Sequence, residues 1–113
     1  MKSISRWTQK VFAAAMFCGI LQGSALAAGD AEAGKVKAST CIGCHGIENY
    51  SNVYPSYRVP MLGGQHPEYV VQALKAYKSG ERAHPTMKAQ AAQMSEQDMA
   101  DIAAYLTSAP QAQ

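Results

Sequence analysis

Cys41-Ile42-Gly43-Cys44-His45 is the segment of this 113-residue chain whose residue types and spacing could carry chemistry. On a helical turn, positions i, i+3 and i+4 share a face, so both thiols and the imidazole can reach one ligand. Two cysteines separated by two residues and followed directly by histidine form the pattern of c-type haem attachment. The thiols would add to the two vinyl groups of one porphyrin, and the imidazole would reach its iron. Gly43 would let a flat macrocycle lie close to the backbone. Three other uses of the same residues are weaker. A thiol–disulfide redox pair usually sits beside a βαβ pattern, and none is present. A structural zinc site wants four closed ligands, and no second pair follows. A bare disulfide would leave His45 without a role.

The motif needs elements to hold it, and the chain divides in two. Residues 1–27 contain Lys2, Arg6 and Lys10, then an apolar run from Val11 to Leu21, then Ala25-Leu26-Ala27. This is the order of a secretory signal peptide, with cleavage expected after Ala27. The run falls short of the roughly 20 residues a spanning helix takes, so no retained membrane span is expected. The bulky Phe17 before Cys18 argues against a lipoprotein. The expected mature domain is 28–113, with seven basic against eight acidic side chains, a net of −1. A strongly basic nucleic-acid binder is thereby disfavoured, because neutralising phosphates takes more cation.

The mature part is short of core. It has eleven Leu, Ile and Val residues and neither Phe nor Trp. That is below the share at which chains normally build an interior, yet the high net charge of a disordered chain is missing. Small scaffolds in this position rely on a staple, and Cys41 and Cys44 cannot provide a disulfide framework. A porphyrin would supply the missing apolar bulk, so composition and spacing point to the same ligand.

The local signals are helical, and the expected fold class is all-α. Asp30 can cap a helix running through Ala31, Ala33, Gly34 and Val36 towards Cys41. A second helix is expected from Pro67, a first-turn proline, through Tyr69, Val70, Ala73, Leu74 and Tyr77 to Gly80. Ser95-Glu96-Gln97-Asp98 opens a third with a capping box, carrying Met99, Ile102, Ala103 and Leu106 on one face before Pro110. Gly46 to Gln65 and Glu81 to Met94 read as loops, the latter with a helical turn at Lys88–Gln93. No alternating apolar run suggests a strand. Loops of such length usually wrap something or carry function.

Taken in order, Cys41–His45 with Gly46, Pro60-Met61-Leu62-Gly63-Gly64-Gln65-His66, Tyr77–Arg82, His84-Pro85-Thr86-Met87 and Ser95–Asp98 through Tyr105 resemble the class I c-type cytochromes. The likeness is to short single-haem bacterial forms and to one half of the di-haem forms, and it runs from Gly29-Asp30 to Ser108. It implies three main helices and loops wrapped around one covalent haem c. It also implies a sixth iron ligand, a methionine beyond the haem motif. Of the candidates, Met99 lies on a helix face suited to core filling, Met94 precedes the Ser95 cap where a hydrophobic staple belongs, and Met61 lies on the His45 side. Met87, 42 residues beyond His45, is the expected ligand, with His84 and His66 as alternatives.

The resemblance further implies that the Pro60 carbonyl accepts the second N–H of His45, fixing the ring. It suggests that Gly34 and Tyr105 mark a crossing of the first and third helices. A soft, neutral thioether favours ferrous iron and raises the potential. Two strong axial ligands leave no open position, which disfavours substrate or dioxygen binding.

No paired carboxylates, activated serine or phosphate-cradling glycine loop is evident. The chain is therefore expected to be no enzyme but a periplasmic one-electron carrier between redox proteins, such as an oxidase, reductase or dehydrogenase. An alternative is an electron-transfer subunit of a dehydrogenase or oxidase complex. A ligand-binding or peroxidase-like haem protein would need an empty sixth position. Lys75, Lys78, Arg82 and Lys88 form a loose basic cluster that could either steer acidic partners or be a solvated helix face.

Overall fold

The computed structural model describes residues 28–109. The segment read as a signal peptide, and Pro110 with the tail beyond it, lie outside the described residues. The elements in order are α1 (Ala31–Lys37), α2 (Ser39–His45), β1 (Ser51–Val53), β2 (Ser56–Arg58), α3 (Pro67–Ser79), α4 (Pro85–Ala91) and α5 (Glu96–Ser108). The chain is predominantly helical, as expected.

The helix ends expected at Asp30, Pro67, Gly80 and Ser95 form for the expected reason. The Asp30 side chain accepts from the backbone N–H groups of Glu32 and Ala33. Pro67 begins α3, and Gly80 ends it in the left-handed region at φ 87°. Ser95 and Asp98 close a reciprocal box, Asp98 N–H donating to Ser95 Oγ at 3.1 Å and Ser95 N–H to Asp98 Oδ2 at 2.9 Å.

Three expectations need correction. The first helix is not continuous: it bends at Ala38 (φ −80°, ψ 1°), which is fully buried and separates α1 from α2. The segment 46–65 is not wholly loop, because β1 and β2 pair antiparallel with Ser51 against Arg58, Asn52 against Tyr57 and Val53 against Ser56. Strands of three residues, mostly exposed, are too short to write an alternating apolar pattern. The turn between them contains a cis Tyr54–Pro55 bond. Helix α4 starts at Pro85, earlier than the expected turn at Lys88. The signal was a first-turn proline, as at Pro67.

Packing is built on α5, which contacts α1 and α3, while α4 lies on α3. At Gly34 the α1 backbone comes so close that a Cβ would stand 1.9 Å from the Asp101 carbonyl oxygen and 3.0 Å from Tyr105 Cβ. The expected crossing of Gly34 and Tyr105 is therefore present, and a side chain there would drive the helices apart. The core comprises Ala38, Val70, Val71, Leu74, Ala91, Met99, Ile102, Ala103 and Leu106. Among the described residues only Met99, Ile102 and Leu106 are both large and fully buried.

One buried carboxylate ties this crossing together. Asp101 is 3% exposed. Its Oδ1 accepts from Asp30 N–H and from Gln97 Nε2, each at 2.8 Å, and its Oδ2 pairs with Lys37 Nζ at 2.5 Å. Lys37 also reaches Asp98 at 2.8 Å. Lys37 first, then the Asp30 N–H and Gln97, lower the Asp101 carboxyl from 3.8 to about 2. A depressed carboxylate stabilises the fold in full above its unfolded value and loses that contribution as pH falls through the folded one. Asp101→Asn should therefore melt below the wild type at neutral pH. The gap should close between about pH 4 and pH 2. Thermal unfolding of the holoprotein across that range checks this, and a constant gap would refute it.

Candidate functional site

Helix α2 carries Cys41, Cys44 and His45 and stops at once, with Gly46 as its C-cap. The His45 Nδ1 lies 2.7 Å from the Pro60 carbonyl oxygen. A carbonyl only accepts, so Nδ1 carries the proton and donates, and Nε2 keeps its lone pair free for a metal. The Pro60 segment is pinned on both sides. Leu62 N–H donates to the His45 carbonyl at 3.3 Å, and Gly64 N–H donates to the Leu106 carbonyl at 2.9 Å.

Next to this ring opens a cleft of about 300 Å³, whose walls include His45, Pro60, Leu62, Val70, Leu74, Tyr77, His84 and Met87. A smaller lobe of about 80 Å³ is bordered by Cys41, Cys44, His45, Met87, Met94, Ile102 and Leu106. His45, Leu62, Val70, Leu74, Thr86 and Met87 border both lobes. Four core side chains, Val70, Leu74, Ile102 and Leu106, thus turn one side to the cleft. The interior is continued by whatever the cleft holds.

Among the methionines, Met87 borders both lobes and Met94 the smaller one, while Met61 and Met99 border neither. Met99 is 1% exposed in the core, as its helix face suggested, and Met94 packs against the core beside the Ser95 cap. Of the alternative histidines, His84 borders the larger lobe and its side chain caps α4, whereas His66 stands at the start of α3 with no side-chain cap and borders neither lobe.

Burial pushes the Cys41 thiol above its ordinary value, with a hydrogen bond to Thr40 acting the other way. A raised thiol is a poor thiolate nucleophile, which weighs against a redox-reactive pair. Among the described residues no three His, Cys, Asp or Glu side chains gather as metal ligands. Donors for a closed zinc site are therefore not assembled there. At Gly43 nothing beyond its chain neighbours and the backbone of its own helix lies within 4 Å of where a Cβ would stand.

The residues present fit a haem. The cleft is apolar and elongated into two lobes, with thiols on one lobe, an imidazole with a free Nε2 on both, and a thioether on both. Arg58 offers charge at the larger lobe beside Arg82 and carries no expectation from sequence, because its place depends on the hairpin, which no local signal announces.

A model of the cytochrome c family matches residues 31–110. The chain belongs to the cytochrome c family. Members of this family carry a covalently attached haem c with iron, and haem c is the cofactor here. The chain is 42% identical over 88 residues to cytochrome c4 of Pseudomonas aeruginosa, a match covering 78% of this chain and 42% of that protein. It therefore spans less than half the length of that relative. It is also 42% identical over 84 residues to cytochrome c-554(548) of Halomonas halodenitrificans, covering 72% of this chain and 98% of that one. Among solved structures it is similar to cytochrome c4 of Acidithiobacillus ferrooxidans, with a TM-score of 0.55, 27% identity and coverage of 74% of this chain and 52% of that one. The fold is accordingly that of a class I cytochrome c, with five helices and a small hairpin among the described residues.

The basic cluster is largely engaged within the molecule. Lys75 pairs with Glu96 at 3.0 Å, and Lys78 donates to the Met94 carbonyl at 2.5 Å. The Arg82 guanidinium lies 4.8 Å over the Tyr77 ring and donates to Tyr69 Oη at 3.3 Å. Lys75 and Lys78 fasten α3 to its neighbours, and Arg82 folds the segment after α3 back onto it. No helix among the described residues is long and apolar enough to cross a membrane.

Proposed function

We propose that this chain is a periplasmic single-haem electron carrier, exported by residues 1–27 and folded as a cytochrome c domain over 28–113. Cys41 and Cys44 hold the haem by thioether bonds, and His45 and Met87 are its axial iron ligands. The observation that carries this reading is the cleft itself: His45 and Met87 border both lobes, and the cysteines border the smaller one.

Haem c, when bound, supplies reversible exchange of one electron. The chain's residues set the conditions of that exchange. Pro60 accepts the Nδ1 proton of His45 and so fixes the ring and its basicity. The Met87 thioether adds no charge and favours the ferrous state. Val70, Leu74, Ile102 and Leu106 exclude water, and a low dielectric also favours the state of lower charge. Filling both axial positions leaves no place for a substrate, so the partners are other redox proteins rather than small molecules.

Protein exported by cells equipped for covalent haem attachment should show low-spin, six-coordinate haem spectra in both oxidation states. Acidified organic solvent should leave the pigment on the polypeptide, and the mass should exceed that of residues 28–113 by one haem. Extractable pigment would refute the thioether assignment, and a second haem equivalent would refute the single-haem reading.

A further inference from the structure

We infer that the β1–β2 hairpin is a strap for the distal ligand, with Tyr57 and His84 as positioning residues that hold the Met87 turn in place. This rests on the reading of Met87 as an iron ligand. Met87 lies in the first turn of α4, a helix of only seven residues. So short a helix is not stable alone, and whatever fixes its first turn fixes the sulfur. His84 does so directly: its Nδ1 accepts the backbone N–H of Met87 at 3.3 Å.

His84 is in turn set by two tyrosines. The Tyr57 ring meets it edge-on, with centroids 4.9 Å apart at 80°, and Tyr77 meets it at 6.0 Å and 78°. Edge-to-face contacts of this kind fix a ring's orientation as well as its position. Tyr57 also donates from its hydroxyl to Thr86 Oγ1 at 3.1 Å. One side chain of β2 thus touches both the residue that caps Met87 and the residue before it. The hairpin that carries Tyr57 is held together by the pairing of β1 with β2 and by Val59 N–H donating to the Tyr50 carbonyl at 3.0 Å, and it runs directly into Pro60, whose carbonyl is held by His45 Nδ1. No other hydrogen bond joins the hairpin to α4 among the described residues, so the strap acts at one point.

The consequence is kinetic. An external ligand reaches a six-coordinate iron only when the thioether leaves, so the strap sets how often Met87 swings away. Carbon monoxide binding to the reduced holoprotein reads this directly. His84→Ala should speed binding about five-fold, the size expected for one lost cap. Tyr57→Phe, which keeps the ring and removes the hydroxyl, should speed it about three-fold. His84→Asn should stay within about two-fold of the wild type, because asparagine is among the best N-cap acceptors.

Wild-type rates in both His84→Ala and Tyr57→Phe would overturn the inference, as would His84→Asn binding as fast as His84→Ala. Met87→Ala separates the two levels of argument. If it leaves the rate unchanged, the ligand reading falls and the strap with it. If it binds fast while the other variants match the wild type, only the strap falls.

Discussion

The Cys41→Ser, Cys44→Ser double variant, purified free of pigment, is expected to lose most of its helical far-ultraviolet circular dichroism and to show no cooperative thermal transition. The described residues bury only Met99, Ile102 and Leu106 as large, fully enclosed side chains. Chains of this size seldom draw more than about 3–5 kcal/mol from a single core. Four of the core residues face the cleft, so removing the haem exposes their inner sides. Without its occupant the cleft of about 300 Å³ leaves these side chains with no packing partner on one side and opens them to water. The capping hydrogen bonds at Asp30, Ser95 and Gly80 cannot compensate, since each contributes on the order of 1 kcal/mol. A sharp melting transition in the pigment-free variant would show that the polypeptide closes its own interior.

The second large effect concerns Met87. Met87→Ala should lower the reduction potential by on the order of 0.1 V or more, within the roughly 0.8 V span over which axial ligands set haem potentials. Two terms act in the same direction. The neutral thioether that favours ferrous iron is lost, and the space it leaves admits water, which favours the more highly charged ferric state. The variant should also bind carbon monoxide readily when reduced. Redox titration with optical detection measures the first, and carbon monoxide difference spectra the second. An unchanged potential would remove Met87 from the axial position. It would turn attention to His84, which borders the same lobe.

How much of this was legible in the residues depends on the distance over which each feature acts. Helix ends written by one or two neighbouring side chains were readable: Asp30, Pro67, Gly80 and the Ser95–Asp98 box form as expected. So was the attachment motif, whose parts span five consecutive positions, and so was the apolar deficit, which is a matter of counting. The hairpin was not readable. Its strands are three residues long, and what holds Tyr57 in place includes residues 29 positions away. Helix α4 was underestimated although Pro85 announced it, because its sequence lacks the apolar stripe that made α3 and α5 evident. Nothing in the sequence around Asp101 marks it for burial. Only the approach of α1 buries it and brings Lys37 to it, across a separation of 64 residues.

The kind of cofactor, the helical class and most helix boundaries follow from the chain's own local chemistry, because covalent spacing and capping depend on residues within a few positions of one another. That Met87 borders both lobes beside His45, which lysines are spent on internal pairs, where the first helix bends and how Tyr57 meets the Met87 turn were decided only on folding. These depend on groups brought together from distant parts of the chain, whose proximity no local propensity encodes.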